Sequence, residues 1–185
     1  MVYLFIKLLK NKGNNNTIKS FNKLILILEK MKQLFVIRHG DYDWKDLSNS
    51  GEKQIERIAE DMKAIVGEMY DGHYLLSSTA PRAEQSTEII AKAFGLESFD
   101  KNRRLWTGGG DNLYQEELEA IDAMITPYED THDIVTITTH YEVVGSYPRH
   151  IVRTLFERDE YIRRPEKGQG VHLDLEAKTY QMLPR

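Results

Sequence analysis

Leu34-Phe35-Val36-Ile37 is an unbroken run of apolar residues that stops at Arg38-His39-Gly40. A short run of β-branched and aromatic residues bounded by polar punctuation predicts a buried strand, here about Gln33 to Arg38. Its last residues bring a guanidinium and an imidazole to the C-terminal edge of whatever sheet it joins. In open α/β sheets that edge is where ligands bind. The guanidinium fork matches phosphate oxygens, and a neutral imidazole is a competent nucleophile toward phosphorus.

The segments that follow alternate between helical and extended patterns. Ser48 or Asn49 offers an N-cap. Beyond it Ile55, Ile58, Ala59, Met62, Ile65, Val66 and Met69 recur at steps of three and four, as one buried helix face requires. Asp71-Gly72 predicts a turn and Tyr74 to Leu76 a short strand ending at Ser77-Ser78. Pro81 suits the first turn of a second helix, with Ala83, Ser86, Ile90, Ala93 and Phe94 inward and Gly95 closing it. Phe99 opens a short extended piece, and Thr107 to Asn112 is a loop. Leu113 to Ile125 reads as a helix closed by Pro127. Ile134 to Thr139 alternates like a strand and ends at His140. Glu142 to Phe156 is helical but contains Pro148, which predicts a kink or two pieces. Val171 to Leu175 and Thr179 to Leu183 form a closing hairpin. Strands alternating with helices predict an α/β chain: a three-layer α/β/α sandwich with a mostly parallel central sheet. There is no internal repeat and no sign of a second domain.

The chain has 185 residues, enough for one domain with its own core. Hydrophobic residues make up 41% and charged residues 29%, which places it among globular chains. A formal net charge of -4 argues against a nucleic-acid partner. The absence of cysteine removes disulfides, thiolate catalysis and cysteine-based zinc sites, and suits the cytoplasm. Residues 1–30 are apolar at both ends and Asn-rich between, and read as an N-terminal extension or a start-site artefact before a domain spanning 31–185. Neither apolar run approaches the roughly 18 residues of a membrane helix. No small-residue cleavage site follows the first, so no membrane partner is expected, a weak amphipathic anchor being the rival reading.

Three expected strands thus end in polar residues: Arg38-His39, Ser77-Ser78 shortly before Arg82, and Thr139-His140. Converging at one sheet edge, two arginines and two histidines make an anion site suited to a phosphoryl group. His73, His132, His150 and His172 lack metal-ligand spacing, so neither metal nor cofactor is expected. Gly108-Gly109-Gly110 is no P-loop, since no Gly-Lys-Ser/Thr follows. Trp44, Trp106 and Tyr42 could line the pocket, but packing in the core or at a rim is expected of each. Arg163, Arg164 and Lys167 could touch a substrate or be solvated, and the solvated reading is preferred.

These landmarks resemble the histidine phosphatase superfamily, also called phosphoglycerate-mutase-like, over about Lys32 to Gly145. Arg38-His39-Gly40 is similar to its signature triplet. Leu47-Ser48 with Gly51 and Gln54 resembles its helix entry, and Ser77 to Ser86 its "S-S-x-x-x-R-A-x-Q-T" stretch. Thr139-His140 resembles the second histidine. The resemblance implies metal-free phosphoryl transfer through a phosphohistidine on His39. Arg38 and Arg82 would hold the phosphoryl oxygens and His140 would donate a further hydrogen bond. Ser48 and Ser78 are counted with Arg38, Arg82 and His140 as substrate contacts. The glutamate that often follows "R-L" in members acting on alkyl phosphates is absent, because Trp106-Thr107 follows Arg104-Leu105. Leu105 to Asp111 instead resembles a loop of the short phosphohistidine-phosphatase branch. The proton donor is then expected among Asp41, Glu116 and Glu117, with Asp41 directly after the signature. The partner implied is a phosphoprotein carrying phosphohistidine or a phosphorylated small molecule. A domain that binds phospho-ligands without turnover, and a phosphoglycerate mutase-type phosphotransferase, are the alternatives.

Overall fold

The computed structural model of the chain describes residues 31–67, 72–106, 110–128 and 131–184. The expectations for residues 1–30, Met69, Asp71 and 107–109 lie outside the described residues. Strand β1 (Gln33–Arg38) forms where the apolar run predicted it. Its alternate side chains enter two separate cores. Leu34 and Val36 pack in a cluster with Ile121, Val143, Tyr147 and Ile151. Phe35 and Ile37 pack with Ile55, Ile58, Met62 and Ile90. A strand apolar on both faces must be covered on both sides, and this sets the three layers.

One covering layer is α1 (Asn49–Val66) and α2 (Pro81–Phe94). Ser48 caps α1, its Oγ accepting from the Gly51 N–H at 3.2 Å. Pro81 occupies the first turn of α2, and Gly95 ends it in the left-handed region at φ 69°. The other layer is α3 (Gln115–Ile125) and α4 (Tyr141–Leu155). Each large aliphatic side chain sealed between layers contributes about 1.5–3 kcal/mol relative to exposure.

Between the layers lies a six-stranded sheet. Strand β6 (Ile134–Thr139) sits between β1 and β4 (His73–Ser77), parallel to both. The short β5 (Asp100–Lys101) continues the parallel set beyond β4. On the far side of β1, β7 (Gly170–Asp174) and β8 (Thr179–Leu183) add an antiparallel hairpin. The order is β5-β4-β6-β1-β7-β8, the mostly parallel α/β/α sandwich that the sequence pattern predicted. A separate small hairpin of β2 (Tyr42–Asp43) and β3 (Asp46–Leu47) follows the β1 tip.

Three expectations are corrected. β6 does not alternate, since all its residues are buried, as its central position between two parallel neighbours demands. α3 begins at Gln115 rather than Leu113: the Leu113 N–H is taken by Ser146 Oγ at 3.1 Å and the Tyr114 N–H by Glu117 Oε2 at 2.8 Å. Of the kink or two pieces expected after His140, two pieces are excluded, since one helix runs through Pro148. A proline deletes one backbone hydrogen bond, while Val144, Tyr147 and Ile151 of the same helix are all buried in one core. Among the described residues no helix is long and apolar enough to cross a membrane.

Candidate active site

Parallel registration places the C-terminal ends of β1, β6 and β4 side by side, with Arg38 opposite Thr139 and Ser77 opposite Thr138. The next residue of each strand continues that alignment. His39 N–H donates to the Thr139 carbonyl at 3.1 Å, and Ser78 N–H to that of Thr138 at 3.0 Å. His39, His140 and Ser78 therefore meet at one edge, and all three are buried. α2 starts just beyond Ser78 and brings Arg82, in its first turn, over the same point.

Arg82 Nε lies 3.0 Å from His39 Nε2, and a guanidinium only donates. Nε2 is thus the acceptor and carries the lone pair. Nδ1 lies 2.8 Å from the Gly40 carbonyl and holds the proton. Burial pushes the His39 pKa down to about 4, helped by Arg82, Arg38 and Lys167 and opposed by the bond to Gly40. Burial likewise takes His140 to about 3, with His39, Arg82 and Arg38 adding to it. Both rings are neutral near pH 7 and sit 5.0 Å apart, edge to face. His140 is held through both nitrogens, with Ser78 Oγ 2.6 Å from Nε2 and an Arg82 terminal nitrogen 3.4 Å from Nδ1. Arg38 donates to the Pro165 carbonyl at 3.2 Å, while its buried Nε has no partner. Its pKa is lowered by burial.

The glycines of two motifs explain each other. A Cβ on Gly40 would stand 2.5 Å from the Gly51 carbonyl oxygen, and one on Gly51 would be 2.8 Å from the Asp41 nitrogen. The tip of β1 and the first turn of α1 touch backbone to backbone, which no side chain permits. Gln54 fastens the same junction, accepting from the Asp41 N–H at 2.9 Å and donating to Asp41 Oδ2 at 2.9 Å. The segment from 165 to 169 closes the other side: Gly168 N–H donates to the His39 carbonyl at 2.9 Å, and Arg38 N–H to that of Gln169 at 2.8 Å.

The structure therefore brings together Arg38, His39, Arg82, His140 and Ser78. Asp41 lies at the rim, 3.6 Å from Lys167 Nζ. Ser48 is engaged by its capping bond and by Ser50 at 2.9 Å. Glu117 serves the start of α3, and Glu116 is exposed there. Lys167 and Arg164 are not merely solvated. Lys167 stands over the Tyr42 ring at 4.5 Å. Arg164 lies 4.0 Å from the Tyr141 centroid and bonds the Asp111 carbonyl and Asn112 Oδ1. No local pattern announces these contacts, because loop residues far along the chain supply them. Tyr42 and Trp106 flank Arg82, with their centroids 4.5 and 5.6 Å from its Cζ, whereas Trp44 projects outward at 96% exposure. Among the described residues, no three His, Asp or Glu side chains are grouped as a metal site.

No protein-family model matches this chain, and no characterised protein matches it in sequence. Solved structures do. A SixA protein of Agrobacterium tumefaciens superposes with a TM-score of 0.58 at 16% identity, over 83% of this chain and 99% of its own. The protein histidine phosphatase SixA in complex with tungstate gives 0.59 at 20%, over 81% and 93%. A mycobacterial glucosyl-3-phosphoglycerate phosphatase gives 0.56 at 13%, over 82% and 97%. At such identities the likeness is one of fold, and the fold is the one these three proteins share.

Proposed function

We propose that this chain is a metal-independent phosphatase that works through a phosphohistidine on His39. The observation that carries the reading is the state of that ring. Nδ1 is committed to the Gly40 carbonyl, and the Nε2 lone pair is aimed at Arg82 at 3.0 Å. A phosphoryl group arriving at Nε2 would meet Arg82 at once, with Arg38 and His140 beside it. Nε2 would form the bond to phosphorus as the bond to the leaving group breaks, and the leaving atom would take up a proton. Water would then attack phosphorus, releasing phosphate and restoring the imidazole. Arginine donors fixed before the reaction stabilise the charge on the equatorial oxygens. The tungstate in the protein histidine phosphatase SixA, which shares this fold, is an oxyanion of the kind such a site would hold.

We assign the proton donor to Asp41 rather than Glu116 or Glu117. It follows the signature directly and stands at the rim of the site. The cap role of Glu117 keeps that carboxylate at the start of α3. The engagement of Asp41 by Gln54 and Lys167 favours one second reading, a domain that binds phosphorylated ligands without hydrolysing them.

Hydrolysis of p-nitrophenyl phosphate with excess EDTA separates the two. Wild type is expected to turn over while His39→Ala is silent. Vanadate binding without turnover by either protein would establish the binding domain instead, and equal activity in both would remove His39 from the chemistry.

A further inference from the structure

We infer that Arg164 is a positioning residue for this site. It pins the 163–169 segment against the start of α4, and through Pro165 and Tyr141 that segment sets the direction of the Arg38 guanidinium. The inference rests on the reading above of Arg38 as a holder of phosphoryl oxygens.

The Arg38 fork is held at one end and open at the other. Its Nη1 donates to the Pro165 carbonyl at 3.2 Å, while its buried Nε has no partner. A buried donor left unpaired is costly, and a phosphoryl oxygen would satisfy it. A guanidinium is planar and rigid, so fixing one N–H fixes the directions of the rest. The Pro165 carbonyl therefore helps decide where Nε points. The Tyr141 ring supports the same cation, with its centroid 5.0 Å from the Arg38 Cζ.

Both supports are tied to Arg164. It directly precedes Pro165, and its half-buried side chain crosses α4 at Gly145. A Cβ on Gly145 would collide with the Arg164 Nε and stand 3.0 Å from its Cδ and Cζ. The helix is thus bare at the point where the guanidinium passes. Beyond it the guanidinium lies 4.0 Å from the Tyr141 centroid, so one ring serves both arginines. Its Nη2 also donates to the Asp111 carbonyl and to Asn112 Oδ1. That loop is fastened to α4 independently, because Ser146 Oγ accepts from the Leu113 N–H at 3.1 Å. The 163–169 segment is braced internally as well. Gln169 Oε1 accepts from the Glu166 N–H at 3.1 Å and from Arg163 at 3.3 Å, and the Gln169 N–H donates to the Glu166 carbonyl at 3.0 Å. A shift of Arg164 is therefore passed to Pro165 rather than absorbed within the segment.

A double-mutant cycle on inorganic phosphate tests the idea without chemistry at phosphorus. Phosphate is titrated into wild type, Arg164→Ala, Gly145→Ala, Arg38→Ala and the two double variants that contain Arg38→Ala, with phosphorus NMR reading the dissociation constant. Gly145→Ala keeps every charge, and helix propensity alone favours it, so its only expected harm is the displacement of Arg164. Arg164→Ala and Gly145→Ala should each weaken phosphate about five- to tenfold. In the Arg38→Ala background the same two changes should weaken it by no more than about twofold. Unchanged phosphate affinity in either single variant overturns the inference, even if that variant is less stable in urea, because Arg164 would then only hold the fold together. A loss that persists in full without Arg38 also overturns it, since Arg164 would then act on the anion directly or on the site at large. Failure of the phosphatase reading shows separately, as absence of p-nitrophenyl phosphate turnover by wild type while the coupling between Arg164 and Arg38 stands.

Discussion

Gly51→Ala is the sharpest test of how the site is held, because the sign of the effect is at stake. Gly51 is the third residue of α1 and its φ is not positive. By helix propensity alone, replacing it with alanine should stabilise the protein by about 0.5–1 kcal/mol. The structure says the opposite. The new Cβ would stand 2.8 Å from the Asp41 nitrogen and nearer still to its carbonyl oxygen, and backbone atoms cannot rotate aside. The mirror substitution, Gly40→Ala, sets a Cβ 2.5 Å from the Gly51 oxygen, where ordinary contact begins at 3.4 Å. Relief needs β1 and α1 to part by roughly 0.9 Å in Gly40→Ala and by more in Gly51→Ala, an overpacking that costs about 1–3 kcal/mol. The separation falls beside His39, whose Nδ1 is registered on the Gly40 carbonyl. A displacement near 1 Å at reacting atoms is worth about a hundredfold in rate. Urea unfolding should therefore show both variants destabilised, and p-nitrophenyl phosphate hydrolysis should fall by about two orders of magnitude in kcat. A Gly51→Ala protein that is more stable than wild type and as active would refute the backbone-contact account.

Three further outcomes are expected. Ser78→Ala removes the 2.6 Å bond that fixes His140 and should cost about 1 kcal/mol in urea unfolding. It should also lower kcat more than it raises KM, so an unchanged kcat would show that His140 needs no anchoring. Tyr147→Phe breaks the 2.8 Å bond to Asp122, which also meets His150 at 3.0 Å between α3 and α4, and should cost about 1 kcal/mol with activity intact. His73, bonded to Thr136 at 2.8 Å, has its pKa pushed down to about 4 by burial and by His132, against 6.5 unfolded. Because the folded pKa is the lower one, the neutral ring's contribution is complete above pH 6.5 and is lost as pH falls toward 4. Between pH 7 and 5 wild type should lose about 2 kcal/mol more than His73→Phe, and parallel losses would contradict the assignment.

What could be read in advance followed the range of the interaction. β1, the Ser48 cap, the Pro81 entry and the Gly95 stop are local patterns, and each stands where its residues put it. Arg38, His39, Arg82 and His140 were legible as a group because parallel strands bring their tips together whatever the detail between them. β6 was misread as alternating because its threonines look polar in sequence, yet the central strand buries them, Thr136 against His73 and Thr139 against the Leu105 carbonyl. Pro148 was weighted by its missing N–H, and the apolar surface that α4 buries around it outweighed that loss. Pro165 and Gly168 carried no signal at all. They reach Arg38 and His39 from more than a hundred residues downstream through loop backbone, where neither period nor composition speaks.

The closure of β1 by β7 and by the 165–169 segment has a consequence for biosynthesis. The strand bearing the signature is among the first parts of the described chain to leave a ribosome, and its antiparallel neighbour is among the last. Until Gly168 and Gln169 emerge, the His39 carbonyl and the Arg38 amide lack the partners they have in the finished sheet. A chain cut before Gly168 therefore carries every motif of the candidate site without the backbone partners that close it.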